Sequence, residues 1–426
     1  MSNMNKATDA NNFMPASIIL LGLTPAIMVL LPWDFGDEMT PYRGFMRGNS
    51  IPVTIIELVF VLLALARGFS PAASIAALPG LTKAGLGLFA ITVAWTTIFI
   101  AESSATAVLG MIKLFAHLMF GLAFAQQLSI WPRQQRQRIW LVSGLGVVSY
   151  CLLWGTNIVF HHPTGDDWKW LVPTLTNIRW IGFFSLAGFC SGLGALVLFC
   201  DGRIDRRRIT LSLVFCTLGC FLAVWTASRG AILAILVASL FAVFFTKDRK
   251  TLAVIILVAF VIALSLAAAL PVPHEAYGLE RLLGITIHSS DLNELSSSRV
   301  QIWQETVKKI AVHPWAGWGI DQFRFAGPEM TLGIRHPHQS TLQLVFATGV
   351  AGAVAITLIA IPLIRNWPRN LVSPPHWAAG SYVIAGTVYG LYDGFFYYTY
   401  PVMIFLMAVA MMLKPAEPTG AYDKSD

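Results

Sequence analysis

The sequence predicts an all-α polytopic membrane protein of about twelve transmembrane helices with one small helical insertion. Three observations predict it. Of 426 residues, 56% are hydrophobic and only 12% are charged, where a soluble protein carries about 25% charged residues. The mean hydropathy is +0.66. Apolar runs of roughly 20 residues recur along the chain, long enough to cross ~30 Å of hydrocarbon.

In order, the runs cover residues 16–32, 51–66, 84–101, 105–128, 139–160, 180–200, 209–227, 230–246, 251–270, 340–364, 377–392 and 396–413. The first has no basic start and no small-residue cleavage site, so it reads as a retained span. The last two are separated only by an aromatic stretch from Tyr392 to Tyr400. Alternate loops collect the basic residues: Arg133, Arg136 and Arg138, then Arg203, Arg206, Arg207 and Arg208, then Lys247, Arg249 and Lys250, then Arg365 and Arg369. Lys6, Arg67, Lys83, Lys414 and Lys424 fall on the same side, whereas the opposite loops hold only Arg43, Arg47, Lys169, Arg179 and Arg229. The positive-inside rule then places both termini in the cytoplasm. That loop asymmetry also accounts for the net charge of +7 and the pI near 9.2, so nucleic acid is not an expected partner. All five cysteines (Cys151, Cys190, Cys200, Cys216, Cys220) lie inside apolar runs, which argues against disulfides and thiolate metal sites.

One connection is long. Residues 271–339 separate spans 1–9 (residues 1–270) from spans 10–12 and the tail (residues 340–426). A loop of that length in a compact architecture is usually functional, and it carries helix signals. Ser298 followed by Gln301 fits a capping box, Val300, Trp303, Val307 and Ile310 recur at helical spacing, and Pro314 ends the pattern. Arg299 then lies in a first helical turn, where free N–H groups favour an anion and its fork suits phosphate oxygens. An ordinary surface arginine is the bland alternative.

Three further places carry chemistry. Ser228-Arg229-Gly230 joins two spans almost without a break; an arginine so near hydrocarbon faces protein, water or a partner, unless it snorkels to headgroups. The small Ser228 and Gly230 would let another group approach. His336-Pro337-His338-Gln339 opens the tenth span. Pro337 suits a first helical position, which sets His338 in the first turn, where the helix dipole keeps an imidazole neutral and able to accept a proton. The plain alternative is a pair of interfacial histidines bonded to backbone. No third ligand at zinc-like spacing accompanies them, so no metal is read here. Asp34-Phe35-Gly36-Asp37-Glu38 lacks Asp-x-Asp spacing, and Asp166-Asp167 reads as solvated. Glu57 and Lys113 sit inside spans and belong to a polar network, proton path or substrate contact. Asp393 is a candidate for orienting a basic group.

Together these motifs resemble the O-antigen ligase family, within a larger group that includes O-antigen polymerases and protein O-oligosaccharyltransferases. The resemblance runs from Ser228-Arg229-Gly230 to about Gly352. Its pieces are that tripeptide, then Ser298-Arg299 with Trp303 and His313-Pro314-Trp315-Ala316-Gly317-Trp318-Gly319, and finally His338-Gln339, nine residues, and Gly349-Val350-Ala351-Gly352. The third fits the ligase pattern of His, then Asn, Ser or Gln, nine residues, Gly, two residues, and Gly, Thr or Tyr. The resemblance implies a C-type membrane glycosyltransferase fold in a bacterial inner membrane with its site on the periplasmic side. It implies metal-independent, inverting transfer, without cofactor, of a glycan from undecaprenyl diphosphate to a sugar hydroxyl of lipid A–core. On that reading His338 is the general base and Arg229 and Arg299 hold the diphosphate. Ser228, Gln301, Arg335, His336, Gln339 and Asp393 complete the substrate-binding set. A polymerase, a protein O-oligosaccharyltransferase and, from another class, a non-enzymatic transporter of lipid-linked sugar are the rival readings.

Overall fold

A chain threaded through hydrocarbon has to satisfy its backbone polar groups internally, and a helix does so within one segment. Every regular element among the described residues is accordingly helical. The computed structural model describes residues 16–30, 50–161, 179–202, 209–272, 277–288, 298–328, 336–371 and 373–413.

Each apolar run meets helix. Residues 16–22 lead into α1 (Thr24–Leu30), followed by α2 (Ser50–Leu65), the short α3 (Pro71–Ala76), α4 (Gly80–Phe99), α5 (Ser104–Ile130) and α6 (Arg133–His161). Next come α7 (Arg179–Cys200), α8 (Ile209–Trp225), α9 (Arg229–Phe245) and α10 (Arg249–Ala269). The insertion contributes α11 (Gly278–His288), α12 (Arg299–Ile310) and α13 (Phe323–Ala326). The last three are α14 (Ser340–Asn370), α15 (Pro374–Tyr392) and α16 (Thr399–Leu413), with a 3-10 turn at Phe395–Tyr397 before α16. Among the described residues, six stretches are long and apolar enough to cross a membrane: Gly80–Phe99, Ser104–Ile130, Arg138–Thr156, Ile181–Cys200, Arg249–Ala269 and Ser340–Arg365. Pro52–Leu65, Ile209–Trp225, Arg229–Phe245 and Thr399–Leu413 are apolar but shorter. The chain is a multi-pass membrane protein; a full count of twelve crossings rests on the apolar runs alone.

The spans differ in how deeply they sit in the bundle. The apolar window of α7 is 83% buried and that of α10 only 22%, so α7 is central and α10 peripheral. Small residues explain the centre. Between helices in lipid, close packing and hydrogen bonds replace the hydrophobic drive. A Cβ on Gly219 of α8 would lie 2.6 Å from the Ser185 carbonyl oxygen of α7. One on Gly182 would lie 2.7 Å from the Tyr389 hydroxyl of α15. Larger side chains at these positions would push α7 off its neighbours.

The insertion has a small core of its own, Ile302, Phe323, Ala326 and Phe346, with Ile310 and Trp318 against it. The α12 helix begins at Arg299 as its sequence predicts, but the capping box does not form: Ser298 is left-handed (φ 62°) and its side chain makes no cap bond. Gln301 is exposed. The buried stripe is Ile302 and Thr306, and Val307 is 53% exposed. Docking on α14 rotates the helix away from its predicted face, because Ile302 enters the Phe323–Phe346 cluster and the Trp303 indole donates to the Pro337 carbonyl (2.9 Å).

The same insertion is spliced into α14. That helix breaks at Gly349 (φ 61°, ψ −163°), a backbone region essentially reserved for glycine. A break strands carbonyls and N–H groups, which need partners. Trp318 and Gly319 donate to the Phe346 and Ala347 carbonyls (2.8 and 2.9 Å), and Val350 and Ala351 donate to those of Pro314 and Trp315 (2.8 and 3.1 Å). Gly317 (φ 75°) lies against the Phe346–Thr348 backbone where a Cβ would collide. The glycine-tryptophan motif and Gly349, separated from Gln339 by nine residues, are therefore two halves of one joint. Gly349→Ala should cost about 1–3 kcal/mol in backbone strain alone, before its collision with Trp315. A fall in the thermal unfolding midpoint in detergent is the expected readout, and an unchanged midpoint would contradict the joint.

Candidate active site

The site is built around a helix end. The α15 helix stops at Tyr392 because Asp393 turns extended (φ −148°, ψ 173°), and the 3-10 turn that follows leads into α16. Asp393 is 6% exposed, and a carboxylate taken from water needs charged and hydrogen-bonding partners. They come from three parts of the chain. Its Oδ1 accepts from the Gly394 N–H (2.8 Å) and lies 3.3 Å from Nδ1 of His338. Its Oδ2 lies 3.1 Å from Nη2 of Arg299, whose Nη1 donates to the Tyr392 carbonyl. Ser340 staples the start of α14 to the same corner: its hydroxyl donates to the Asp393 carbonyl (3.1 Å) and accepts from the Phe396 N–H (3.2 Å).

His336 forms the second wall. It is 3% exposed, stacks on Tyr397 with ring centroids 4.6 Å apart, and its Nδ1 accepts the His338 backbone N–H (3.2 Å). An imidazole nitrogen that accepts carries no proton. His336 is therefore the neutral Nε2–H tautomer, donating to the Tyr398 hydroxyl at 2.9 Å.

His338 itself stands outside α14. The helix opens at Ser340, with Gln339 as its N-cap accepting from the Leu342 N–H, so neither Pro337 nor His338 occupies a first helical turn. The dipole argument for His338 therefore does not apply, and its Nδ1 faces the Asp393 carboxylate instead. With Nδ1 turned to that carboxylate, the ring's Nε2 bears the lone pair. The backbone of His338 is left-handed (φ 54°). The other positive-φ residues besides glycine, among those described, are Ala227, Ser298 and Asp321. Ala227 precedes the Ser228-Arg229 junction and Ser298 precedes Arg299, while Asp321 pairs with Lys113 (3.2 Å). Strain of this kind persists where surrounding structure over-determines it, and it clusters at functional sites.

The predicted residues sort as follows. Arg299, His336, His338 and Asp393 come together. Ser228 bonds the Tyr389 hydroxyl (2.9 Å), and Gly230 lies where a Cβ would meet Tyr389 and Tyr392. The first residue of α9, half-buried Arg229, thus starts beside the last turn of α15. Three of the predicted residues meet partners within the protein or face solvent. Arg299 directs both its terminal nitrogens to the 392–393 corner. Gln339 and Gln301 serve as a helix cap and a solvent-facing side chain. Arg335, Asp34, Asp37, Glu38, Asp166 and Asp167 lie outside the described residues.

Several neighbours escaped the sequence reading. Tyr397 and Tyr398 lie in the aromatic stretch that was read only as a span boundary. Lys113 places its ammonium 5.3 Å from the Tyr397 ring centroid, on the far side of a stack that ends at His336. Glu57, fully buried, is held 2.8 Å from Nδ1 of His117. Both intramembrane charges thus have partners that no local spacing announces.

Residues 211–357, from α8 through the splice in α14, match the family model described as O-antigen ligase. Over that stretch, about a third of the chain, the protein is similar to the O-antigen ligases. An O-antigen ligase of Pseudomonas aeruginosa is similar at 27% identity over 115 residues, which make up 26% of this chain and 28% of that protein. The shared stretch therefore spans little more than a quarter of that relative. The O-antigen ligase match includes Arg229, Arg299, His336 and His338, whereas Asp393 lies beyond its end.

Proposed function

We propose that this protein is a glycosyltransferase that moves a glycan from undecaprenyl diphosphate to a sugar hydroxyl of lipid A–core. The family match supports the enzyme class. The observation that carries the mechanism is the Asp393–His338 pair. A carboxylate on Nδ1 sets the ring's tautomer and leaves Nε2 to take a proton, the arrangement a hydroxyl nucleophile requires. The acceptor O–H gives its proton to Nε2 as its oxygen bonds to the anomeric carbon. The bond from that carbon to the diphosphate breaks, and the electron pair leaves on the lipid diphosphate. Attack opposite the leaving group inverts the anomeric centre. Arg229, at a helix N-terminus, is the cation assigned to the departing charge, and Arg335, the residue before His336 in sequence, is assigned as a second. Arg299 acts one step back, holding Asp393. The reading sets the protein in a bacterial inner membrane, termini in the cytoplasm and site on the periplasmic side.

Purified protein in liposomes, given a lipid-linked glycan, lipid A–core and chelator, is expected to form glycan-bearing lipid A–core. Glycan joined only to a second lipid-linked glycan would make it a polymerase. Transfer that needs an added divalent metal would overturn the metal-independent step. Gly394→Ala tests the second wall, because a Cβ there would collide with the His336 ring. Displacing that ring removes the acceptor that holds the His338 backbone. Transfer should fall about 10²-fold, the typical cost of misplacing a reacting group by about 1 Å, with the unfolding midpoint near wild type. Wild-type transfer would make His336 a packing residue only.

A further inference from the structure

The long connection is expected, from its sequence, to fold above the helix ends, yet part of it lies below them. Depth can be read from two independent registers. Gly85 of α4 faces Ala355 and Ile359 of α14, where a Cβ would lie 2.6 Å from the Ala355 carbonyl oxygen. Gly319, bonded to the Ala347 carbonyl, faces Thr96 and Ala101 at the other end of α4 (3.8 and 3.5 Å from an added Cβ). The two helices thus run antiparallel in fixed register. Pro314 and Trp315, which accept from Val350 and Ala351, lie about 10 Å below the end of α4 at Phe99, at 1.5 Å per residue. On α5, Gly110 faces Ile320 and lies 3.1 Å, measured from an added Cβ, from the Asp321 carboxylate. That is about 9 Å below the start of α5 at Ser104.

Both helices are among those long and apolar enough to cross a membrane. At the depth of Trp315, α4 turns Ile91 (69% exposed) and Trp95 (53%) outward, and Trp315 itself is 75% exposed with Val312 at 61%. Their surface continues the outward face of a membrane span. Irregular backbone at such depth is tolerated only where protein satisfies it, and the four hydrogen bonds to the break in α14 do so, with the Lys113–Asp321 ion pair beneath (3.2 Å). Lys308, 72% exposed along its side chain, lies outside this stretch on α12.

We propose that Pro314–Asp321 is a re-entrant loop embedded beside α4, α5 and α14, with Trp315 and Val312 against the acyl chains of the surrounding lipid. The loop anchors the insertion that carries Arg299 to one fixed depth. The proposal is independent of the reaction assigned above.

Spin labels at Trp315→Cys, Lys308→Cys and Ile91→Cys in phosphatidylcholine–phosphatidylglycerol liposomes test it by power-saturation electron paramagnetic resonance. Labelled wild-type protein supplies the background from the native cysteines. The ratio of oxygen to nickel-chelate collision rates at position 315 should match position 91 and exceed that at 308 several-fold. A ratio at 315 equal to that at 308 would place the loop in water and overturn the proposal. Val312→Cys provides the same reading if Trp315→Cys fails to fold: a lipid-like ratio supports the embedded loop and a water-like one sinks it.

Discussion

His338→Ala should lower glycan transfer by about 10²–10⁴-fold, the usual cost of losing a positioned general base. Stability should hardly change. The ring is half-buried, bonded to Asp393 at 3.3 Å and set edge-on to His336, and its loss leaves no cation stranded, since Asp393 keeps Arg299 and the Gly394 N–H. His338→Gln is the sharper variant because it keeps a hydrogen-bonding side chain but cannot accept a proton at neutral pH. The measurement is kcat for transfer in liposomes, with the unfolding midpoint as control. Transfer within a few-fold of wild type in either well-folded variant would remove His338 from the chemistry.

Asp393→Asn is the second large effect, and it separates orientation from charge. An amide oxygen could still accept the Nδ1–H, but an amide can equally turn its NH₂ toward His338 and reverse the tautomer. Arg299 would also lose its carboxylate. Truncating one partner of a buried ion pair commonly costs about 3–5 kcal/mol, discounted here because the Arg299 side chain is 18% exposed. A drop in kcat of about 10²-fold or more with little change in KM is expected if Asp393 orients a base. Arg299→Lys keeps the positive charge and loses the fork; it should reproduce a milder form of the Asp393 defect. A rise in KM for the lipid-linked donor with kcat intact would instead return Arg299 to the diphosphate.

Much of the architecture was legible because the constraint behind it is one-dimensional. Hydrocarbon demands a run of apolar residues with internal hydrogen bonds, so each run became helix, and the insertion stood out by length. The start of α12 at Arg299 and the roles sought for His336, His338 and Asp393 also lay within reach of local patterns. Where local rules failed, a distant segment had overruled them. Ser298 matched a capping box, yet docking on α14 left it left-handed. Pro337 suited a helix start, yet with Gln339 as the cap the helix begins three residues later, at Ser340.

By itself the sequence determined the helical membrane class, the resemblance to the O-antigen ligases over residues 211–357, and which polar side chains were too costly to be incidental. Tertiary structure alone decided that Asp393 is where His338 and Arg299 meet, that Arg299 divides its terminal nitrogens between that carboxylate and the Tyr392 carbonyl, and that Lys113 and Glu57 are paired. The physical reason is that a buried charge is stabilised by partners within a few ångströms in space. Those partners, His117, Asp321 and Arg299, are supplied by distant segments of the chain at separations that no local periodicity records.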